Sequence, residues 1–130
     1  LAGAAPYRIP LVGRPGELAA MNTPDARDGY LAITPDDFDN RMTARMVASL
    51  ALYRPGRKLG KIHCPVLVQI CDDDSVAPAA ASEAMVERGD DNIIERHYHL
   101  GHFDIYRGAG FRRANADQLD FYKRALARRA

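Results

Sequence analysis

The sequence predicts an α/β chain built on a short parallel sheet, and three observations carry that reading. Residues 64 to 71, CPVLVQIC, are apolar almost throughout and rich in β-branched side chains, as befits a strand covered on both faces. Segments with helical apolar spacing or helix-starting residues precede this run, follow it and end the chain. A second strand candidate, residues 92 to 98, falls between the last two of these segments. The resulting order of helix, strand, helix, strand, helix implies a parallel pair joined by a crossover.

The elements follow in chain order. Pro6, Pro10, Gly13, Pro15, Gly16 and Pro24 make the first thirty residues an irregular connection, with at most a short extended piece around residues 9 to 12. Pro10 lacks the N–H that an interior strand needs. Thr34, Pro35, Asp36 and Asp37 read as a helix start: a hydroxyl cap, proline at the first helical position and acids in the first turn. Phe38, Met42, Met46, Val47 and Leu50 then recur at helical spacing and are expected to bury one face, until Tyr53-Arg54-Pro55-Gly56 ends the helix. After the first strand, Pro78 opens a short helix, PAAASEAMVERG, that Gly89 is expected to close. The last helix is predicted from about residue 111 to residue 128, with Phe111, Ala114, Tyr122 and Leu126 near one stripe.

Length and composition narrow the function classes. A chain of 130 residues that is 47% hydrophobic is normally one domain with a core. Its 18 basic and 17 acidic side chains nearly cancel, which gives no electrostatic hold on nucleic acid or on a membrane. Lys123, Arg124, Arg128 and Arg129 cluster at the end, where they complement a helix dipole. Cys64 and Cys71 are placed for opposite faces of a sheet, so they form neither a disulfide framework nor a metal clip. Free thiols suit a reducing cytoplasm, which is the expected location. No apolar run reaches membrane-spanning length, and no signal-peptide layout opens the chain. Because it begins with leucine, it is expected to be a piece of a longer protein.

In an open parallel sheet, ligands and reactive groups gather beyond the carboxyl ends of the strands. Both polar clusters of the chain lie there: Asp72, Asp73, Asp74 and Ser75 after the first strand, and Gly101-His102 after the second. If the strands are neighbours, an acid and a histidine 28 positions apart meet above one edge. A carboxylate that accepts the Nδ1 proton fixes the imidazole tautomer, leaves Nε2 outward as a base and stabilises the imidazolium that forms. Glycine at 101 is expected to let the backbone turn tightly and bring His102 over the site.

Together, CPVLVQICDDDSVAP and YHLGHFDIY resemble the final two strands of the α/β-hydrolase fold, whose chain order is nucleophile, acid, histidine. The family's acid loop commonly reads glycine, two variable residues, aspartate, and a proline four positions later. Here Cys71 takes the glycine place, Asp74 the acid and Pro78 the proline. The resemblance covers residues 60 to 128 well and the first sixty loosely. It implies a partial domain over residues 1 to 130. By that resemblance residues 1 to 60 are expected to form a connection and a cap or lid helix, and residues 61 to 130 to hold the last strands, the acid and histidine loops and the final helix. Phe38, Met42 and Met46 are then pocket-lining candidates, with core packing as the other role.

The same family leads one to look for a nucleophile elbow, usually G-x-S-x-G, and this chain has none. Ser49, Ser75 and Ser82 lack its small flanking residues, and the earlier oxyanion-hole segment is also missing. A thiolate at Cys71 is disfavoured by burial and by three following acids. The resemblance therefore implies the C-terminal part of a mostly parallel hydrolase sheet, with Asp74 and His102 as its catalytic acid and histidine. The longer protein is expected to hydrolyse an ester, amide or related acyl bond of a small molecule without a cofactor, and this chain alone to be inactive. The sheet edge left open is expected to drive self-association.

Other readings stay open at this level. Asp72 and Asp73 compete with Asp74 for the orienting role. His97, His99 and His102 spell H-x-H-x-x-H, a ligand set for a metal-dependent hydrolase. A non-enzymatic interaction module is a further alternative. A nucleotide-binding domain is disfavoured, since no glycine-rich phosphate loop follows a strand.

Overall fold

A computed structural model describes residue 3 and residues 5 to 127. The chain forms two compact units, Leu1–Arg54 and Pro55–Ala130. Arg128 and Arg129 of the basic cluster lie outside the described residues.

In the first unit, strand β1 (Arg8–Ile9) pairs antiparallel with β2 (Met42–Thr43). Helix α1 (Ala26–Leu31) lies between them in sequence, and helix α2 (Arg45–Leu52) follows β2. Asn40 stitches the unit together. Its Oδ1 accepts the N–H groups of Leu11 and Val12 at 3.1 and 2.9 Å, and its Nδ2 donates to the Val12 carbonyl at 2.8 Å. Ile9, Val12 and Ala26 are the buried apolar residues here.

Three expectations fail in this unit: the first thirty residues are not irregular throughout, since α1 opens at Ala26, the helix expected from Thr34 starts later, and its apolar face is not buried. The tripeptide Thr-Pro-Asp occurs at residues 23 to 25 and again at 34 to 36, and it starts a helix only at the first place. There the following residue, Ala26, is fully buried. At the second place Thr34 turns back to donate its hydroxyl to the Leu31 carbonyl at 3.1 Å, and Phe38 packs on Tyr30 with ring centroids 5.5 Å apart. Residues 40 to 43 are then drawn into pairing with the N-terminal segment, so the helix expected from Thr34 begins at Arg45. Tertiary pairing overrides a local start signal. The face expected to be buried is open: Met46, Val47 and Leu50 are exposed.

The second unit carries the parallel pair. A 3-10 helix (Pro55–Lys61) with buried Leu59 leads to strand β3 (Val66–Cys71). Helix α3 (Ala79–Val86) crosses over to strand β4 (Ile93–Tyr98), and a short 3-10 helix (Asp104–Tyr106) precedes helix α4 (Gly108–Ala127). β3 and β4 run parallel in a register that sets Val66 beside Ile93 and Cys71 beside Tyr98.

Register and parity decide what β3 exposes. Val66 N–H donates to the Asn92 carbonyl and Asp72 N–H to the Tyr98 carbonyl, so the even-numbered residues of β3 turn their backbone groups toward β4. Those of Leu67, Gln69 and Cys71 point the other way, and among the described residues no strand pairs with that edge. β3 is accordingly covered on both faces only at its carboxyl end, where Ile70 and Cys71 are buried; its earlier residues are half-buried. In α4 the buried residue is the small Ala114, with Phe121 half-buried further along. Phe111, Tyr122 and Leu126 of the expected stripe are exposed. Small side chains let the helix backbone approach so closely that Gln69 Nε2 reaches the Ala114 carbonyl at 2.9 Å. Gly110 is needed in the first turn of α4, because a Cβ there would collide with the Asp104 carbonyl oxygen and come within 2.9 Å of Leu100. Gly89 stands just past α3 as expected, its N–H donating to the Val86 carbonyl at 2.8 Å, and its missing side chain makes room for Ile93.

Candidate active site

The site grows from the last residues of β3 and β4. As β3 ends, Asp72 N–H donates to the Tyr98 carbonyl at 2.8 Å and Asp73 N–H to the Leu100 carbonyl at 3.2 Å, which carries the sheet ladder into the two loops. The chain then turns, with Asp74 N–H donating to the Cys71 carbonyl at 3.4 Å. Asp74 is held by its own loop: Oδ1 accepts the N–H groups of Val76 and Ala77 at 2.8 and 2.6 Å. This is the local bonding that makes aspartate a turn residue, and it aims the second oxygen.

That oxygen, Oδ2, lies 2.7 Å from Nδ1 of His102. The Asp74 side chain is 10% exposed and that of His102 25%, so the pair is shielded yet reachable. With Asp74 as carboxylate, Nδ1 carries the proton and Nε2 is the ring nitrogen with a lone pair to offer. The imidazole is wedged between aromatic rings, Phe103 edge-on at 4.8 Å and Tyr106 at 6.5 Å. Beside it opens a hollow of about 180 Å³ bordered by Ile70, Cys71, Asp74, His102, Ile105 and Tyr106. A larger hollow of about 480 Å³, near Ile62, His63 and Asp90, lies toward the amino ends of the strands and contains neither member of the pair.

The histidine turn is built differently from the expectation. Gly101 is not among the glycines with positive φ. Asp104 shapes the turn instead, accepting Gly101 N–H on Oδ2 and donating its own N–H to the Gly101 carbonyl, both at 3.2 Å.

The competing residues separate cleanly. Asp72 grips two other imidazoles, His97 Nδ1 on Oδ1 at 2.7 Å and His99 Nδ1 on Oδ2 at 2.8 Å. His97 Nε2 also lies 3.0 Å from Oε1 of Glu95. A ring with a carboxylate oxygen at each nitrogen donates to both only as imidazolium, and the hydrogen bonds to Asp72 and Glu95 raise the His97 pKa above its usual value. The three histidines of H-x-H-x-x-H are thus divided between two carboxylates, His102 on Asp74 and the others on Asp72. Among the described residues, no group of three or more His, Cys, Asp or Glu is arranged to hold a metal ion.

Of the nucleophile candidates, Ser49 lies in α2 and donates its hydroxyl to the Arg45 carbonyl at 3.3 Å. Burial, then the nearby Asp74, Asp72 and Asp104 carboxylates, push the Cys71 thiol up and keep it protonated. Cys64 is exposed, and both cysteines are free thiols.

Sequence reasoning overlooked Asp104, the double grip of Asp72 and the role of Gln69. Only Gln69 left a signal, as the single amide in an otherwise apolar strand; it bonds to Tyr98 and to α4.

Over 126 residues, 95% of its length, the chain is 43% identical to the "Quorum-quenching protein AidA" of Acinetobacter baumannii (strain MDR-ZJ06). It is 32% identical over 93 residues to two Escherichia coli proteins, each named "Uncharacterized 31.7 kDa protein in traX-finO intergenic region". The chain spans 41% of the length of AidA and 32% of the length of the Escherichia coli proteins. No protein-family model matches it, and neither does any solved structure.

Proposed function

We propose that this chain supplies the acid and the base of a nucleophile–acid–histidine hydrolase of the α/β-hydrolase type, with the nucleophile contributed by chain outside these 130 residues. The observation that carries the reading is the 2.7 Å contact of Asp74 Oδ2 with His102 Nδ1, at the carboxyl ends of two parallel neighbouring strands. The likeness to a protein named for quorum quenching supports it, because destroying a small signal molecule is work that acyl-bond hydrolysis can do.

In the proposed reaction, His102 Nε2 takes the proton of the nucleophile as that group attacks the acyl carbon. Asp74 holds the ring in the tautomer that exposes Nε2 and stabilises the imidazolium. His102 then hands the proton to the leaving oxygen or nitrogen, and the acyl group stays on the nucleophile. A water molecule, deprotonated by the same Nε2, releases the acid and restores the starting state. Backbone donors for the oxyanion would come from the part of the protein that also brings the nucleophile. The substrate is a small molecule with an ester, amide or related acyl bond.

The test uses a protein that carries this chain together with the proposed nucleophile-bearing segment, assayed with p-nitrophenyl esters and a fluorophosphonate probe. Replacing His102 by alanine should lower kcat by about 10⁴-fold with folding retained. Turnover unchanged by that replacement would end the proposal. The 130-residue chain alone should neither turn over ester nor take up the probe.

A further inference from the structure

Tyr98 is the most deeply buried polar-tipped side chain of the second unit, 1% exposed, and the proposed chemistry makes no use of it. Its phenol donates to Oδ2 of Asp117 at 2.6 Å and accepts from Nε2 of Gln69 at 2.8 Å. The second proton of that amide goes to the Ala114 carbonyl at 2.9 Å, and Gln69 Oε1 accepts from Gln118 Nε2 at 2.6 Å. The guanidinium of Arg113 sits over the Tyr98 ring, 5.4 Å from its centroid. One closed network therefore joins β3, β4 and α4.

A phenylalanine would fill the same volume, so packing alone does not call for the hydroxyl. What the hydroxyl adds is a fixed depth and rotation for this residue, and the Tyr98 backbone is where that precision matters. Its carbonyl accepts Asp72 N–H, which opens the acid loop, and Leu100 N–H, which opens the histidine loop, both at 2.8 Å. Leu100 in turn accepts Asp73 N–H. Both loops are thus referenced to a single carbonyl whose residue is anchored at its other end. Burial and the Asp117 carboxylate push the phenol up, so it stays a donor.

We infer that Tyr98 is a positioning residue for the Asp74–His102 pair: the clamp of its hydroxyl on Asp117 and Gln69 holds the carbonyl from which both loops depart. The inference rests on the proposed reading of that pair. It concerns the geometry of the two side chains, so it can be tested without catalytic turnover.

The experiment is proton NMR of this chain, following the low-field resonance of the His102 Nδ1–H, identified by its loss in His102→Gln. Tyr98→Phe should abolish or severely broaden that signal at a temperature where circular dichroism still shows a folded chain. Asp117→Asn keeps an acceptor for the hydroxyl and should retain the signal. Phe121→Ala, at the same α4–sheet contact but toward the amino end of the strands, should lower the melting temperature and leave the signal sharp. Should Tyr98→Phe not fold, Asp117→Ala takes its place with the same expected loss. A folded Tyr98→Phe with a wild-type signal overturns the inference, as does loss of the signal in Phe121→Ala. A folded wild-type chain with no such resonance overturns the reading of the pair itself, and the inference with it.

Discussion

The carboxylate of Asp74 and the imidazole of His102 lie 2.7 Å apart although 28 positions separate them in sequence. Nothing local brings them together. The parallel register of β3 and β4 sets the two strand ends side by side, and each loop then turns its own residue toward the same rim.

The two oxygens of Asp74 serve different partners, so two substitutions should part activity from stability. Under the proposed reading, in a protein that joins this chain to a nucleophile, Asp74→Asn removes the charge facing His102 and is expected to lower kcat by about 10⁴-fold with little change in melting temperature. Asp74→Ala also strips the acceptor from Val76 and Ala77 N–H, and should cost about 1–3 kcal/mol of stability in addition. Kinetics with chemical denaturation checks both. Equal stability of the two variants would show that the loop does not depend on Oδ1.

The cluster around Asp72 predicts a pH dependence. Hydrogen bonds to Asp72 and Glu95 raise the folded-state pKa of His97 above its ordinary 6.5, so His97 binds its proton more tightly in the folded chain. Its contribution to stability is complete below pH 6.5 and is lost as pH rises through the folded value. In denaturation series across pH, wild type should exceed His97→Gln at acidic pH and approach it as the solution becomes alkaline. A constant gap, or one that grows with pH, would contradict the imidazolium assignment.

The open edge of β3 predicts association. Leu67, Gln69 and Cys71 leave their backbone donors and acceptors turned away from β4, and exposed Tyr122 and Phe111 project from α4. Sedimentation velocity should show concentration-dependent self-association of the isolated chain, weakened by Leu67→Lys, since an edge lysine opposes strand pairing. A monomer at every concentration would refute this.

The two thiols should differ sharply toward iodoacetamide. Exposed Cys64 should be alkylated first, while Cys71, buried and raised by its acidic neighbours, reacts slowly even at mildly alkaline pH. Intact mass against time measures the contrast, and faster labelling of Cys71 would revive it as a nucleophile candidate.

Local pattern sufficed where each residue's neighbours in sequence are also its neighbours in space. The apolar run of β3, the crossover through α3 and the placement of Asp74 and His102 at strand ends all follow from periodicity, chain order and the residues that favour turns. Local pattern misled where a distant segment made the better offer. Thr34 had every mark of a helix start, yet Asn40 and β2 bind the N-terminal segment and hold residues 34 to 44 out of the helix. Periodicity puts the stripe of α4 on large residues, whereas close approach to the sheet buries the small one, Ala114.

By itself, then, the sequence determined a parallel strand pair with an acid and a histidine at its carboxyl ends, because strand periodicity and turn chemistry act over a few residues. Tertiary structure alone decided that Asp72 takes His97 and His99, that Asp104 shapes the histidine turn, and that Tyr98 is tied to α4. These depend on strand register and on which faces come into contact, and both are set by packing between segments far apart in the chain.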